Sequence, residues 1–170
     1  MTSQPLSFQD KLRNKSRHYR RKALGPVKWA AYETQQTRFV PPPDRMYIES
    51  TNICNLGCIM CQTGRKEITR RRGYMKWEVF KQIVDEMAPH VKATTLHIWG
   101  EPLLHKRIFD MVAYCQEKGL RAEISTNATM LSEDRSRRLL DAGLNVIYRC
   151  QDGIRPETYE RVRVNADFER

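Results

Sequence analysis

The chain has 170 residues, with 30 Lys and Arg against 20 Asp and Glu and a formal net charge of +10. That length suits one domain, no apolar run approaches the roughly 18 residues of a membrane span, and Met1-Thr2-Ser3-Gln4-Pro5 lacks the apolar stretch of a secretory signal. Five cysteines, three of them clustered, look like metal binding in a reducing cytoplasm and not like a disulfide framework.

Residues 1–43 differ in character from the rest. Between Lys11 and Lys22 the charged residues are Lys11, Arg13, Lys15, Arg17, Arg20, Arg21 and Lys22, with no acid among them. The segment reads as a solvated basic arm. Such charge favours an acidic partner, nucleic acid or an anionic membrane surface, but does not identify which. Lys28 to Thr37 is expected to form a short helix with Trp29 and Tyr32 on one face. Pro41-Pro42-Pro43 ends it and makes a stiff linker, the predicted boundary before a core domain over 44–170.

Arg45 to Ser50 reads as the first strand, and Thr51 to about Gly64 as a loop. In it stands Cys54-Asn55-Leu56-Gly57-Cys58-Ile59-Met60-Cys61, a C-x3-C-x2-C spacing. Three thiolates so placed suit an iron–sulfur cube, each taking one iron and leaving one iron free. Two other readings stand beside it. One is a zinc site completed by a histidine, although His90 and His97 lie about thirty residues on or more and no second cysteine pair exists. The other is three inert buried cysteines. Gly57 suits a close backbone approach to the cluster. The basic run Arg65 to Arg72 reads as an exposed face beside the site mouth.

Met75 to about Ala88 has Trp77, Phe80, Val84 and Met87 at helical spacing, facing a sheet. Leu96 to Trp99 is the predicted second strand, leading into Gly100-Glu101-Pro102. A glycine there lets the backbone approach a ligand, and a glutamate beside it can accept from an ammonium group. Ile108 to Lys118 is the second helix, with Ile108, Met111, Val112 and Cys115 inward. Cys115 reads as a small buried hydrophobe. Arg121 to Ser125 is the third strand, ending in Thr126-Asn127. Ser132 caps a third helix, with Glu133 and Asp134 in its first turn. Val146 to Gly153 covers the fourth strand and its exit. Thr158 to Val164 begins a fourth helix.

From about Arg45 to Val164, the cysteine motif and the Gly100-Glu101-Pro102 turn resemble the radical SAM enzymes. The resemblance implies an α/β fold: four N-terminal βα units of a partial (β/α)6 barrel, a parallel sheet with outer helices, preceded by the basic arm. It implies a [4Fe-4S] cluster on Cys54, Cys58 and Cys61, whose open iron binds S-adenosylmethionine. Reductive cleavage of that cofactor yields a 5′-deoxyadenosyl radical for hydrogen abstraction. It implies that Gly100 and Glu101 orient the cofactor, that Met60 packs on its adenine, and that Asn127 and Cys150 line its pocket. Cys150 and Gln151 stand where related members commonly carry serine and isoleucine. An electron donor such as flavodoxin or ferredoxin is implied as partner. The substrate stays open among peptides, nucleosides and cofactor precursors. Because the family core has six βα units, a fragment of a longer product is expected. The competing reading from another class is a non-catalytic iron–sulfur module that engages RNA or an acidic partner.

Overall fold

The computed structural model describes residues 25–27, 29–35 and 43–169. The basic run from Lys11 to Lys22 lies outside them. The chain divides into two compact units, Met1–Pro42 and Pro43–Arg170. In the first, residues 25–27 and 29–33 are helical. The expected pairing is present there, with the Trp29 and Tyr32 rings stacked 5.9 Å apart. Residues 25–27, ahead of the expected start, are also helical, and Pro26 suits a first helical turn; Lys28 and residues 36–37 of the expected helix lie outside the described residues.

The second unit is a parallel sheet with a helix after each strand. β1 (Arg45–Tyr47), β2 (Ala93–Thr95), β3 (Arg121–Thr126) and β4 (Val146–Arg149) lie side by side in that order. Register runs Tyr47 beside Thr95 and Thr95 beside Glu123, with Glu123 beside Val146. α1 (Trp77–Met87) joins β1 to β2, α2 (Ile108–Glu117) joins β2 to β3, and α3 (Glu133–Asp141) joins β3 to β4. α4 (Pro156–Val162) follows β4. This is the α/β partial barrel expected: parallel neighbours need crossovers, and the helices supply them.

The helices cover one sheet face. Phe80 and Val84 of α1, and Ile108, Met111, Val112 and Cys115 of α2, are fully buried against Leu96, Ala122 and Ile124. Burial pushes the Cys115 thiol up to about 12, as suits a residue acting as a hydrophobe. Ser132 caps α3 as expected, its Oγ accepting from the Arg135 N–H at 3.3 Å.

The other face is polar, which is unusual for an all-parallel sheet. Strand alternation on β3 sends Ala122 and Ile124 to the core and Glu123 and Ser125 to the opposite side. There Arg45 of β1 pairs with Glu123 and donates to Thr95 Oγ1 at 3.2 Å. The Tyr148 hydroxyl reaches Glu123 at 3.4 Å. The Ser125 N–H donates to His97 Nδ1 at 2.9 Å. Hydrogen bonds thus link all four strands across a surface that a barrel would enclose.

The second strand is Ala93–Thr95 and not Leu96–Trp99. Leu96 extends the pairing by one bond, donating to the Glu123 carbonyl at 2.8 Å. Past it the chain leaves the sheet, and Ile98 and Trp99 are exposed. β-branched Thr94 and Thr95 fit a pleated, doubly paired position that their polarity concealed. The first strand is likewise shorter than expected, and α4 begins two residues early at Pro156, a favoured first helical position.

Candidate metal and cofactor site

Every residue expected to form the site lies at or beyond the C-terminal end of a strand, the edge where α/β barrels bind ligands. The cysteine loop follows β1, the Gly100-Glu101-Pro102 turn follows β2, Asn127 follows β3 and Cys150 follows β4.

The cysteine loop is held by backbone and side-chain hydrogen bonds from three directions. Towards the β2 turn, the Glu101 N–H donates to the Ile53 carbonyl at 2.9 Å, and the Thr63 hydroxyl donates to the Trp99 carbonyl at 2.7 Å. Towards the segment after α4, Gly57 N–H donates to the Val164 carbonyl at 2.8 Å and Ile59 N–H to the Val162 carbonyl at 3.1 Å. Towards the basic run, Thr51 Oγ1 donates to the Gly73 carbonyl at 2.8 Å, and Asn52 Nδ2 to the Arg71 carbonyl at 3.0 Å. The run from Arg65 to Arg72 is therefore a tethered excursion. Arg70 pairs with Glu49 and Arg65 with Glu67.

Two glycines are required by contact. A Cβ on Gly64 would lie 2.4 Å from the Cys58 carbonyl oxygen, and one on Gly100 would lie 2.1 Å from that of Thr51. At Gly57, singled out from sequence, an added Cβ would make only ordinary contacts of 3.6 Å or more with Val164 and Asn165.

Cys54, Cys58 and Cys61 carry no disulfide; Cys58 is buried and the other two are half-buried. Burial pushes the Cys54 thiol up, and a hydrogen bond from the Leu56 backbone opposes this. Burial also raises Cys58, against the pull of the nearby Arg163 guanidinium. The three sulfurs feel one another's charge. Among the described residues, no three His, Cys, Asp or Glu side chains converge on a single metal ion. Three free thiols on one hydrogen-bonded loop are the soft donor set that iron–sulfur clusters use.

Glu101 is nearly fully buried, and burial raises its carboxyl. Its Oε1 accepts from the Leu103 N–H at 3.0 Å and from Thr126 Oγ1 at 2.7 Å, and its Oε2 accepts from the Asn127 N–H at 2.8 Å. Three of about four acceptor positions on a carboxylate are thus filled from within the chain. The side chain ties the end of β2 to the end of β3.

Asn127 is equally committed. Its Nδ2 donates to Asn55 Oδ1 at 3.0 Å and lies 3.7 Å from Cys54 Sγ. Asn55 Nδ2 donates to Thr129 Oγ1 at 2.8 Å, and that hydroxyl donates to Asn127 Oδ1 at 2.8 Å. The three side chains close a ring against the first cysteine. Cys150 Sγ lies 3.0 Å from Ser125 Oγ. Met60 is exposed beside Cys61. Beyond the ends of β3 and β4 opens a cavity of about 420 Å³, lined by Asn127, Thr129, Arg149, Gln151, Tyr159 and Phe168 among others. That volume is within the usual range for small-molecule sites.

Sequence reasoning missed Asn55, Thr129 and Arg163. Asn55 stands inside the cysteine motif and carried a signal by position. Thr129 stands two residues past Asn127, to which it donates, and Arg163 is visible only through partners distant in sequence.

Two curated relatives illustrate the likeness. The Fe-coproporphyrin III synthase of Methanosarcina barkeri is 34% identical over 113 residues, covering 66% of this chain and 28% of that protein. The tungsten-containing aldehyde ferredoxin oxidoreductase cofactor-modifying protein of Pyrococcus furiosus is 34% identical over 109 residues, covering 63% and 30%. The chain thus spans less than a third of the length of these relatives. Among solved structures, Streptococcus suis SuiB bound to S-adenosylmethionine superposes with a TM-score of 0.63 at 15% identity, over 92% of this chain and 39% of that one. The family model of the radical SAM superfamily matches residues 48–170, and the chain belongs to that superfamily.

Proposed function

We propose that this chain holds a [4Fe-4S] cluster on Cys54, Cys58 and Cys61 and uses S-adenosylmethionine to start radical chemistry on an organic substrate. These are the cofactors of its superfamily. When bound, they supply reductive carbon–sulfur cleavage and a hydrogen-abstracting radical. The observation that carries the reading is the trio of free thiols on a clamped loop at the strand ends.

The chain's own residues bind and orient. The bare backbone of Gly100 brings the β2 turn against the cysteine loop. Glu101 positions the ends of β2 and β3 so that main-chain polar groups there meet the cofactor's amino group. Met60, a polarizable thioether, packs on adenine. Asn127 lines the cavity, whereas Cys150, between the lining residues Arg149 and Gln151, contacts Ser125 instead. Residues 44–170 make the core and 1–43 a basic extension. An electron donor such as flavodoxin or ferredoxin supplies the electron, and a reducing cytoplasm suits the free thiols. No helix among the described residues is long and apolar enough to cross a membrane. The substrate is a peptide, a nucleoside or a cofactor precursor, the classes that the names of its relatives span.

The test is anaerobic reconstitution with iron and sulfide, followed by dithionite and S-adenosylmethionine. About four irons per chain and release of 5′-deoxyadenosine are expected. A cluster without cofactor cleavage would favour a non-catalytic module engaging RNA or an acidic partner. Zinc without visible absorbance would sink both.

A further inference from the structure

The bonds from Gly57 to Val164 and from Ile59 to Val162 bracket Cys58 on one segment and Arg163 on the other. The two residues therefore run side by side. The Arg163 side chain is 10% exposed and pairs with Asp152 at 2.6 Å. Its Nε is buried with no hydrogen-bond partner. A guanidinium so placed is costly unless more negative charge lies close by. Among the described residues Asp152 is the carboxylate paired with it, and the other groups whose charge it feels include Cys58 and Cys150, while its own charge reaches Glu101.

We propose that Arg163, held by Asp152, is a positioning cation that sets the charge balance of the cysteine loop and so the ease with which a cluster there accepts an electron. The inference rests on the cluster reading above. Three thiolates bring an excess of negative charge to the site, and one-electron reduction adds to it. A buried cation alongside Cys58 favours the reduced state, and its carboxylate partner opposes it; charge and hydrogen bonding around a cluster are what tune its potential. Removing the cation and removing the carboxylate must then act in opposite directions. A clamp that merely braces the loop has no such sign.

The experiment is a potentiometric titration of the reconstituted full chain, with dithionite and redox mediators, followed by electron paramagnetic resonance of the reduced cluster. Arg163→Gln is expected to lower the midpoint potential and Asp152→Asn to raise it. Each shift is on the order of tenfold in the reduced-to-oxidised ratio at fixed potential, about 59 mV for a one-electron couple. Arg163→Lys keeps the charge and stays near the parent. Shifts of the same sign, or no shift in a loaded variant, overturn the proposal. Loss of the cluster from both Arg163→Gln and Asp152→Asn also overturns it, since the pair is then only a brace. A parent chain that takes up no reducible cluster fails the cluster reading instead, a separate result.

Discussion

Replacing Gly100 with alanine tests whether the β2 turn and the cysteine loop form one rigid seat. An added Cβ would lie 2.1 Å from the Thr51 carbonyl oxygen, 2.7 Å from its carbon and 2.9 Å from the Ile53 carbonyl oxygen. All three atoms are backbone, so no side-chain rotation relieves the overlap. With non-bonded contacts near 3.5 Å, the segments must separate by more than about 1 Å. Overpacking of this kind costs about 1–3 kcal/mol. The Glu101 N–H bond to the Ile53 carbonyl, 2.9 Å long, crosses the same gap, and its loss adds about 1 kcal/mol. The sum is about 2–4 kcal/mol. For a unit of this size that lowers the thermal midpoint by roughly 10 °C. The assay is thermal unfolding of metal-free protein by circular dichroism, in reductant and without oxygen, with iron content measured in parallel. Gly73→Ala is the control, because a Cβ there meets nothing within 4 Å. A Gly100→Ala protein that melts with the parent and takes up as much iron would refute the reasoning.

Serine in place of Cys54, Cys58 or Cys61 should each abolish stable iron retention, whereas Cys115→Ala should leave iron unchanged and cost about 1 kcal/mol of stability, measured by denaturant unfolding. Arg45→Met strands the buried Glu123 carboxylate; because Arg45 is 39% exposed on its side chain, the cost is discounted to about 1–3 kcal/mol. Adding Glu123→Gln should recover much of it, and a double-mutant cycle with no coupling would refute the pairing. Burial lowers the His97 pKa below its ordinary 6.5, so the unfolded chain binds the extra proton first as pH falls. Stability from this group is complete above pH of about 6.5 and is lost as pH falls through the lowered value. His97→Gln, whose amide oxygen replaces the acceptor for the Ser125 N–H, should flatten that part of the unfolding midpoint against pH; an unchanged slope would count against it.

What was legible in the residues is what local chemistry encodes. The three thiols and their spacing are written within eight positions, from Cys54 to Cys61. The inward faces of α1 and α2 follow from period, and the α3 cap from Ser132. The second strand was misplaced because the apolar run Leu96-His97-Ile98-Trp99 outweighed Ala93-Thr94-Thr95. Strand pairing with β1 and β3 decides that question, and pairing is not a property of the segment itself. Glu101 shows the same limit at the site. Its place beside Gly100 suggests an acceptor for an external ammonium; the three donors it receives from within, Leu103, Thr126 and Asn127, could not be read there.

The holding of the cysteine loop depends on backbone groups at Ile53, Gly57 and Ile59 meeting Glu101, Val164 and Val162. Amides and carbonyls of this kind belong to every residue type and leave no mark in composition or period. Arg163 is hidden for a related reason: within Glu160-Arg161-Val162-Arg163-Val164 it reads as one more surface charge. Its burial follows from the two bonds that seat its neighbours beside the cysteine loop. A cluster seat therefore divides into two parts of different kinds. The ligands are set by short-range side-chain identity, and their mutual spacing by long-range main-chain contacts. Substitutions that change only the second part, such as Gly100→Ala, should alter cluster retention while leaving every ligand in place.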